Sequence, residues 1–223
     1  MTSNTDLVQL DVDSTRDSGG HPLRGRMPGA GTYLALALWA GVVMAAIASG
    51  VFGGDGASRL ALPASVVIPI AVVAVAYRAS SPFRSYLLAL DLRLVLAAQM
   101  WRVIGIAFLF ALAFDRLPAG FAVPAGVGDI ATGIAALGVV LALGNGSLTR
   151  GHLYAFTALG VGDFLVAFAT GLSLEPPTLT TWPLAIFPTL MVPFFAVLHL
   201  VAVLQSRHNS GSSSTTTPLE DRT

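Results

Sequence analysis

The sequence GVGDIATG, residues 126–133, lies inside a long apolar run, and GVGD recurs at residues 160–163 inside another. Each copy places one aspartate, Asp129 or Asp163, among apolar and small neighbours. A carboxylate in such surroundings is costly unless it is paired and hydrogen-bonded. The two stretches therefore raise the questions of which solvent surrounds this chain and which partner holds two buried acids.

The composition indicates that this solvent is lipid. Of 223 residues, 54% are hydrophobic and 11% are charged, with a mean hydropathy of +0.75, whereas soluble domains carry about 25% charged residues. The absence of cysteine excludes thiolate chemistry, and a net charge of zero argues against nucleic acid as a partner. All twelve basic residues are arginine, which, with the many small and aliphatic residues, is typical of a GC-rich bacterial genome and predicts the bacterial inner membrane.

Six apolar segments have the length of about 20 residues that a helix needs to cross a bilayer. They are residues 30–54, 60–77, 94–114, 121–143, 153–174 and 183–204. Backbone groups in lipid must be bonded within their own segment, so we predict an all-α bundle of six transmembrane helices within residues 29–206. The sequence SYLLALDLRLVLAAQMWRV, residues 85–103, starts amphipathically, which favours a stretch that lies along the inner surface before it enters the membrane.

Polar segments flank the bundle, and arginine residues set its orientation. Residues 1–28 and 207–223 are predicted to be disordered cytoplasmic tails because they are polar and of low complexity. With both ends inside, the outer side holds only Arg59 and Arg116. The inner side then holds eight arginines, Arg16, Arg24, Arg26, Arg78, Arg84, Arg93, Arg150 and Arg207. This asymmetry predicts an N-in/C-in arrangement.

The charged residues within the third, fourth and fifth segments are expected to converge. Arg102, Asp129 and Asp163 each lie on a helical stripe of small or polar residues, which is typical of a face packed against another helix. At about 1.5 Å per residue, all three lie roughly 12–16 Å from an end of their segments. We therefore predict a shared core of Gln99, Arg102, Asp129, Thr132 and Asp163, in which the two acids share one guanidinium and one acid keeps its proton.

Three functions are compatible with such a core. Ionisable residues inside membranes mark solute or proton paths, so the first hypothesis is binding or transport of a small polar solute or a proton. Arg102 would be the contact for an anion or the counter-ion, and Asp129 or Asp163 the titrating carboxylate. The second hypothesis is a structural or accessory subunit without chemistry, in which an Arg–Asp pair only fixes the helix register. The sequence indicates no protein partner.

The third hypothesis rests on a resemblance. The two GVGD copies resemble the motif of the GxGD intramembrane aspartyl proteases, which include the presenilins and the prepilin peptidases. The resemblance covers residues 126–129 and 160–163 and implies that Asp129 and Asp163 share a proton and activate water. That family usually has the motif once, and this chain has no Pro-Ala-Leu sequence near its C-terminus. No G-x-S-x-G, phosphate-binding loop or H-E-x-x-H motif is present, so an enzyme is the less favoured class.

The last segment holds a histidine and two internal prolines. His199 is interpreted as a packing residue, a proton relay or a haem ligand. A b-type haem would need a second axial ligand, for which His152 is the nearby candidate; otherwise no cofactor is expected, and no cluster has the spacing of a metal site. Pro188 and Pro193 each remove a backbone donor, which favours a break in the helix beside a cavity.

Overall fold

The computed structural model describes residues 25–53 and 60–212, which form helices joined by short connections and include no β-strand. The α-helices are α1 Ala30–Ala48, α2 Ala61–Ala79, α3 Ser81–Ala89, α4 Leu92–Ala98, α5 Ile106–Ala113, α6 Ala119–Gly144, α7 Arg150–Leu174 and α8 Val192–Ser212. Two 3-10 helices, Gln99–Gly105 and Pro177–Thr180, and a π-helical turn, Phe187–Met191, complete the list of helical elements.

Six helical stretches are long and apolar enough to cross a membrane. They are Ala30–Ala48, Ala61–Ala79, Leu92–Ala113, Ala119–Gly144, Arg150–Leu174 and Phe187–His208. The third stretch joins α4, the 3-10 helix and α5, and the sixth joins the π-helical turn to α8. The prediction of an all-α chain with six such helices is confirmed for the described residues.

Helix α3 is a separate element in a region that the sequence assigned to a connection and an amphipathic start. The hydroxyl of Ser80 accepts a hydrogen bond from the Phe83 amide at 3.3 Å, which caps the start of α3. Asp91 does the same for α4 by accepting from the Arg93 amide at 2.8 Å. The Ser80 cap separates α3 from α2, and the Asp91 cap divides the amphipathic stretch 85–103 between α3 and α4.

Contacts between connections show which helix ends lie together. The Thr178 hydroxyl donates to the Arg116 carbonyl at 2.9 Å, so the α7–α8 connection lies against the α5–α6 connection at one end, here called the loop end. At the other end, here called the terminal end, Gln205 of α8 donates to two carbonyls at the close of α3. The Arg26 amide donates to the Ala89 carbonyl at 2.6 Å. The two described ends of the chain thus share the terminal end.

Helix α6 lies at the centre of the bundle, packed against α4, α5, α7 and the 3-10 helix Gln99–Gly105. Helix α8 packs against α2, α3, α4 and α7, whereas α1 lies at the edge beside the π-helical turn. One apolar cluster fills the terminal end, with buried Leu96, Val139 and Phe156 among its members. A second fills the loop end around Phe108 and Phe121. The layer between these two clusters is polar.

The predicted tails are only partly covered by this description. Residues 1–24 and 213–223 lie outside the described residues. Helix α8 continues to Ser212, beyond the predicted boundary at residue 206, and the buried side chain of Gln205 bonds it to the end of α3.

Candidate functional site

The 3-10 helix Gln99–Gly105 brings three separated residues onto one face. A 3-10 helix has three residues per turn, so side chains three positions apart lie in line. Gln99, Arg102 and Gly105 follow this spacing and are the buried residues of the element. An α-helix, with 3.6 residues per turn, would spread them around its axis. The change of helix type therefore directs Arg102 into the polar layer.

Arg102 is the centre of that layer, with no exposed surface. Its Nε donates to Asp129 Oδ1 at 2.8 Å, and its Nη2 donates to Asp163 Oδ2. Its Nη1 donates to the Gly160 carbonyl at 3.4 Å and lies 3.4 Å from His199 Nε2. All three guanidinium nitrogens are thus engaged by α6, α7 and α8. Both acids are thus bonded to one guanidinium, as the sequence predicted.

His199 joins the core as a neutral ring. Arginine has only donors, so His199 Nε2 accepts from it and the ring proton lies on Nδ1. That Nδ1 is buried and has no hydrogen-bond partner among the described residues. The ring centroid lies 4.9 Å from that of Phe156 and 6.3 Å from that of Phe164. The arrangement keeps both the packing and the relay interpretations of His199 open.

Glycine residues make the close approach of these groups possible. A methyl group added to any of three glycines would collide with a side chain of the core, because the helices approach too closely for a Cβ atom. The three pairs are Gly105 with Asp129, Gly128 with Asp163, and Gly160 with His199. Small residues are the usual means of bringing helix backbones together in membranes.

Gln99 and Thr132, also assigned to the core by sequence, bond elsewhere. Gln99 is 1% exposed and its Nε2 donates to the Phe195 carbonyl of α8 at 3.0 Å. The Thr132 hydroxyl donates to the Gly128 carbonyl of its own helix at 2.8 Å. Among the described residues, neither bonds to an aspartate. Gln99 therefore joins the 3-10 helix to α8, whereas the hydroxyl bond of Thr132 stays within α6.

The two histidines proposed as haem ligands do not come together. His152 Nδ1 accepts from the Thr149 amide at 3.3 Å, and the His152 amide donates to the Thr149 hydroxyl at 3.2 Å, which closes a capping box at the start of α7. His199 contacts α7 near Gly160, eight residues or about 12 Å further along that helix. Within residues 25–53 and 60–212, no group of three metal-ligating side chains occurs.

A partly open pocket with a volume of about 90 Å³ lies on the loop-end side of the core. Asp129 and Asp163 line it, whereas Arg102 does not. The other lining residues are apolar or glycine and come from α2, α5, α6, α7, α8, the 3-10 helix Pro177–Thr180 and the π-helical turn. Pro188 is among them and lies in the π-helical turn, whereas Pro193 lies within α8; the helix continues from the turn into α8 without the predicted break. The pocket itself has no signal in the sequence, because it depends on how α2 and α7 are spaced.

Phe164 is a further core residue that the sequence does not distinguish. The Arg102 Cζ lies 4.0 Å from the centroid of the Phe164 ring, which is a cation–π contact, and the same ring lines the pocket. The chain has twelve phenylalanines, so only its position beside Asp163 could have pointed to it.

These features define a class of protein, an all-helical bundle of apolar helices whose buried arginine holds two aspartates beside an apolar pocket. The chain belongs to a family described as a domain of unknown function, DUF8737, whose model matches residues 57–205. The matched range holds every residue of the core and the pocket and leaves out α1. No curated protein and no solved structure matches the chain.

Proposed function

We propose that this chain is a multi-pass protein of the bacterial inner membrane with both termini in the cytoplasm. Large apolar side chains cover the outside of the helices, and Leu38, Val75 and Leu165 are each more than 60% exposed. Lipid is the solvent that suits such a surface. Among the described residues, six arginines lie at the terminal end, against Arg116 alone at the loop end, and this asymmetry supports the orientation. The pocket then lies in the outer half of the bilayer.

We further propose that the core binds a small solute or a proton and supports its passage across the membrane. The observation that carries this proposal is that the two acids bonded to Arg102 also line the pocket. One guanidinium faces two carboxylates, so the core has one excess negative charge when both acids are ionised. A charge at the centre of a bilayer costs about 2.5–3.5 kcal/mol or more. Binding a proton or another positive group removes that cost.

Polar atoms on the terminal side of the acids support a route to the cytoplasm. Buried polar groups normally have a hydrogen-bond partner in the protein or in ordered water. Five buried side-chain atoms have none among the described residues: Gln99 Oε1, Arg150 Nε, Thr157 Oγ1, His199 Nδ1 and Gln205 Oε1. His199 lies at the level of Arg102, and the other four belong to the terminal-end halves of α7, α8 and the third stretch. They are the groups along which water or a proton would move between the core and the cytoplasm.

The test is ion and solute flux in proteoliposomes. Proton movement is followed with an internal pH dye under an imposed membrane potential, alone and with a panel of small amines, carboxylates and sugars outside. We expect flux above that of protein-free liposomes, and its loss in Asp129→Asn and Asp163→Asn. Asp91→Asn is the matched control, because Asp91 caps α4 outside the core and asparagine is an equally good cap. Flux equal to that of empty liposomes, or unchanged in the two core variants, contradicts the proposal.

The other two hypotheses have less support. A structural subunit would have a dry, fully packed centre, whereas this core adjoins a pocket. An aspartyl protease needs two carboxylates that hold one water between them. Here Arg102 takes one oxygen of each acid, which leaves neither carboxylate free of a cation.

A further inference from the structure

We infer that the solute of this pocket is a small monovalent organic cation, an ammonium group with an apolar body. The inference rests on the proposed binding function and names the chemical class of the ligand. It follows from the sign of the charge that lines the pocket, the chemistry of the walls and the volume available.

Two negatively charged side chains line the pocket, and the positively charged side chain of the core does not. Asp129 and Asp163 line it, while Arg102 is fully buried behind them with all three nitrogens bonded. Arg102 bonds Oδ1 of Asp129 and Oδ2 of Asp163, so the second oxygen of each acid is left to accept a hydrogen bond from a ligand. An anion would meet two carboxylates and no donor from arginine. The geometry therefore supports the counter-ion role of Arg102 over its role as an anion contact.

The walls select against a hydrated inorganic ion. Apart from the two acids, every lining side chain is apolar or is glycine. Inorganic cations such as Mg²⁺ and Ca²⁺ need six or more oxygen ligands, which this lining does not offer. Five lining residues are aromatic, Phe108, Phe121, Phe164, Phe168 and Phe187. Aromatic faces attract ammonium groups by cation–π interaction and also cover an apolar body.

The volume sets the size of the enclosed part. A cavity needs roughly 10–15 Å³ of such volume to hold one water molecule, and a cavity of about 150 Å³ holds benzene. The pocket of about 90 Å³ therefore encloses an ammonium head group and a few carbon atoms. A larger body has to extend through the open side. This size favours primary or small alkylated amines.

The experiment compares three ligands that share a ring and differ in head-group charge. Benzylammonium, benzyl alcohol and benzoate are titrated into the purified full-length chain in detergent micelles, with empty micelles as the blank, and binding is measured by calorimetry. We expect benzylammonium to bind at least about tenfold more tightly than benzyl alcohol, since a charge-assisted hydrogen bond adds that much. Benzoate should show no binding. Asp129→Asn and Asp163→Asn should each reduce benzylammonium affinity about tenfold or more.

A second pair of variants tests the pocket without changing any charge. Ala167 lines the pocket, whereas Ala169, on the same helix, is exposed and does not. Ala167→Leu should fill the pocket and abolish benzylammonium binding, and Ala169→Leu should leave it unchanged. Equal binding in both variants would place the ligand elsewhere and overturn the inference.

The outcomes separate this inference from the proposed function. If benzoate or benzyl alcohol binds at least as tightly as benzylammonium, or if none binds, the cation assignment is wrong. In that case flux that depends on Asp129 and Asp163 still upholds the proposed function. If benzylammonium binds as expected but no flux occurs, transport is wrong and the cation site stands. Absence of both flux and binding refutes both.

Discussion

The two GVGD copies have the same four residues, but they meet different surroundings. In the first copy both glycines are at close contacts: a Cβ atom on Gly126 would lie 2.9 Å from the Leu109 side chain, and one on Gly128 would collide with Asp163. In the second copy only Gly160 is at such a contact, and a Cβ atom on Gly162 would meet nothing within 4 Å. The same four residues therefore have different packing environments in the two copies.

The two acids differ as well. The side chain of Asp163 is 5% exposed and that of Asp129 is 15% exposed. Asp129 accepts from Arg102 Nε, whereas Asp163 accepts from Nη2 at the far end of the guanidinium. A symmetric catalytic pair would place its two carboxylates in matching positions around a water. The difference indicates instead one cation held by two unequal anions.

The largest expected effect comes from removing the cation that both copies share. Arg102→Met should lower the free energy of unfolding by about 3–5 kcal/mol, because two buried acids lose their partner. Thermal unfolding of the purified chain in detergent measures it. Arg84→Met is the control, since Arg84 is exposed in the first turn of α3.

A triple variant separates charge from packing at this position. Adding Asp129→Asn and Asp163→Asn to Arg102→Met should recover most of the lost stability, since no buried charge is then left in the core. If the triple variant is as unstable as Arg102→Met, the contribution of Arg102 is packing and the charge argument is wrong.

The glycines give the next largest effect and the most direct comparison of the copies. Gly128→Ala and Gly160→Ala should each destabilise the chain by about 1–3 kcal/mol, because the added methyl group overpacks the core. Gly162→Ala should instead stabilise it by about 0.5–1 kcal/mol, since alanine is the better helix residue and space is available. Unfolding midpoints measured in one detergent test the opposite signs. Equal losses at Gly128 and Gly162, the matching positions of the two copies, would show that these two positions are equivalent after all.

The fold and the meeting of the charges could be predicted, because both follow from one-dimensional patterns. Runs of about 20 apolar residues mark the six helices, and helix depth places Arg102, Asp129 and Asp163 at one level. The 3-10 geometry that aligns Gln99 with Arg102 could not be predicted, since it arises from packing against α6. The sequence also does not reveal that Thr132 bonds within its own helix.

The pocket and its charge were beyond prediction for a different reason. Whether a buried arginine or its acids face a cavity depends on the direction of each side chain. The position of a residue along its helix does not determine that direction. The sequence left Arg102 as either an anion contact or a counter-ion, and the guanidinium bonds favour the second role. The contact of Arg102 with Phe164 likewise depends on ring orientation.

Single replacements of the acids should have a smaller effect than loss of the arginine. In Asp129→Asn or Asp163→Asn, Arg102 keeps one acid and the excess negative charge disappears. The loss of one charge-assisted hydrogen bond, about 1.5–3 kcal/mol, is then partly offset, so each variant should lose less than about 1.5 kcal/mol. The more buried Asp163 should show the larger loss in denaturant unfolding. A loss as large as that of Arg102→Met in either variant would contradict a core with one acid in excess.

The smallest expected effect concerns the residue that follows each aspartate. Phe164 follows Asp163 and contacts the guanidinium, whereas Ile130 follows Asp129 and has no ring to offer. Phe164→Leu should cost about 0.5–1 kcal/mol from the cation–π contact, in addition to the apolar contact that any Phe-to-Leu change loses. Phe168→Leu is the control for the lost apolar contact. Phe168 lines the same pocket, but the cation–π contact of the guanidinium is with the Phe164 ring.

A double-mutant cycle isolates the contact between Phe164 and Arg102 from the rest of the core. If the cation–π attraction is real, Phe164→Leu should cost less in the Arg102→Met background than in the unmodified chain, while Phe168→Leu should cost the same in both. A coupling energy of zero for Phe164 would mean that its ring lines the pocket without stabilising the guanidinium. The second GVGD copy would then differ from the first in its glycines, in the burial of its acid and in the guanidinium nitrogen that bonds this acid.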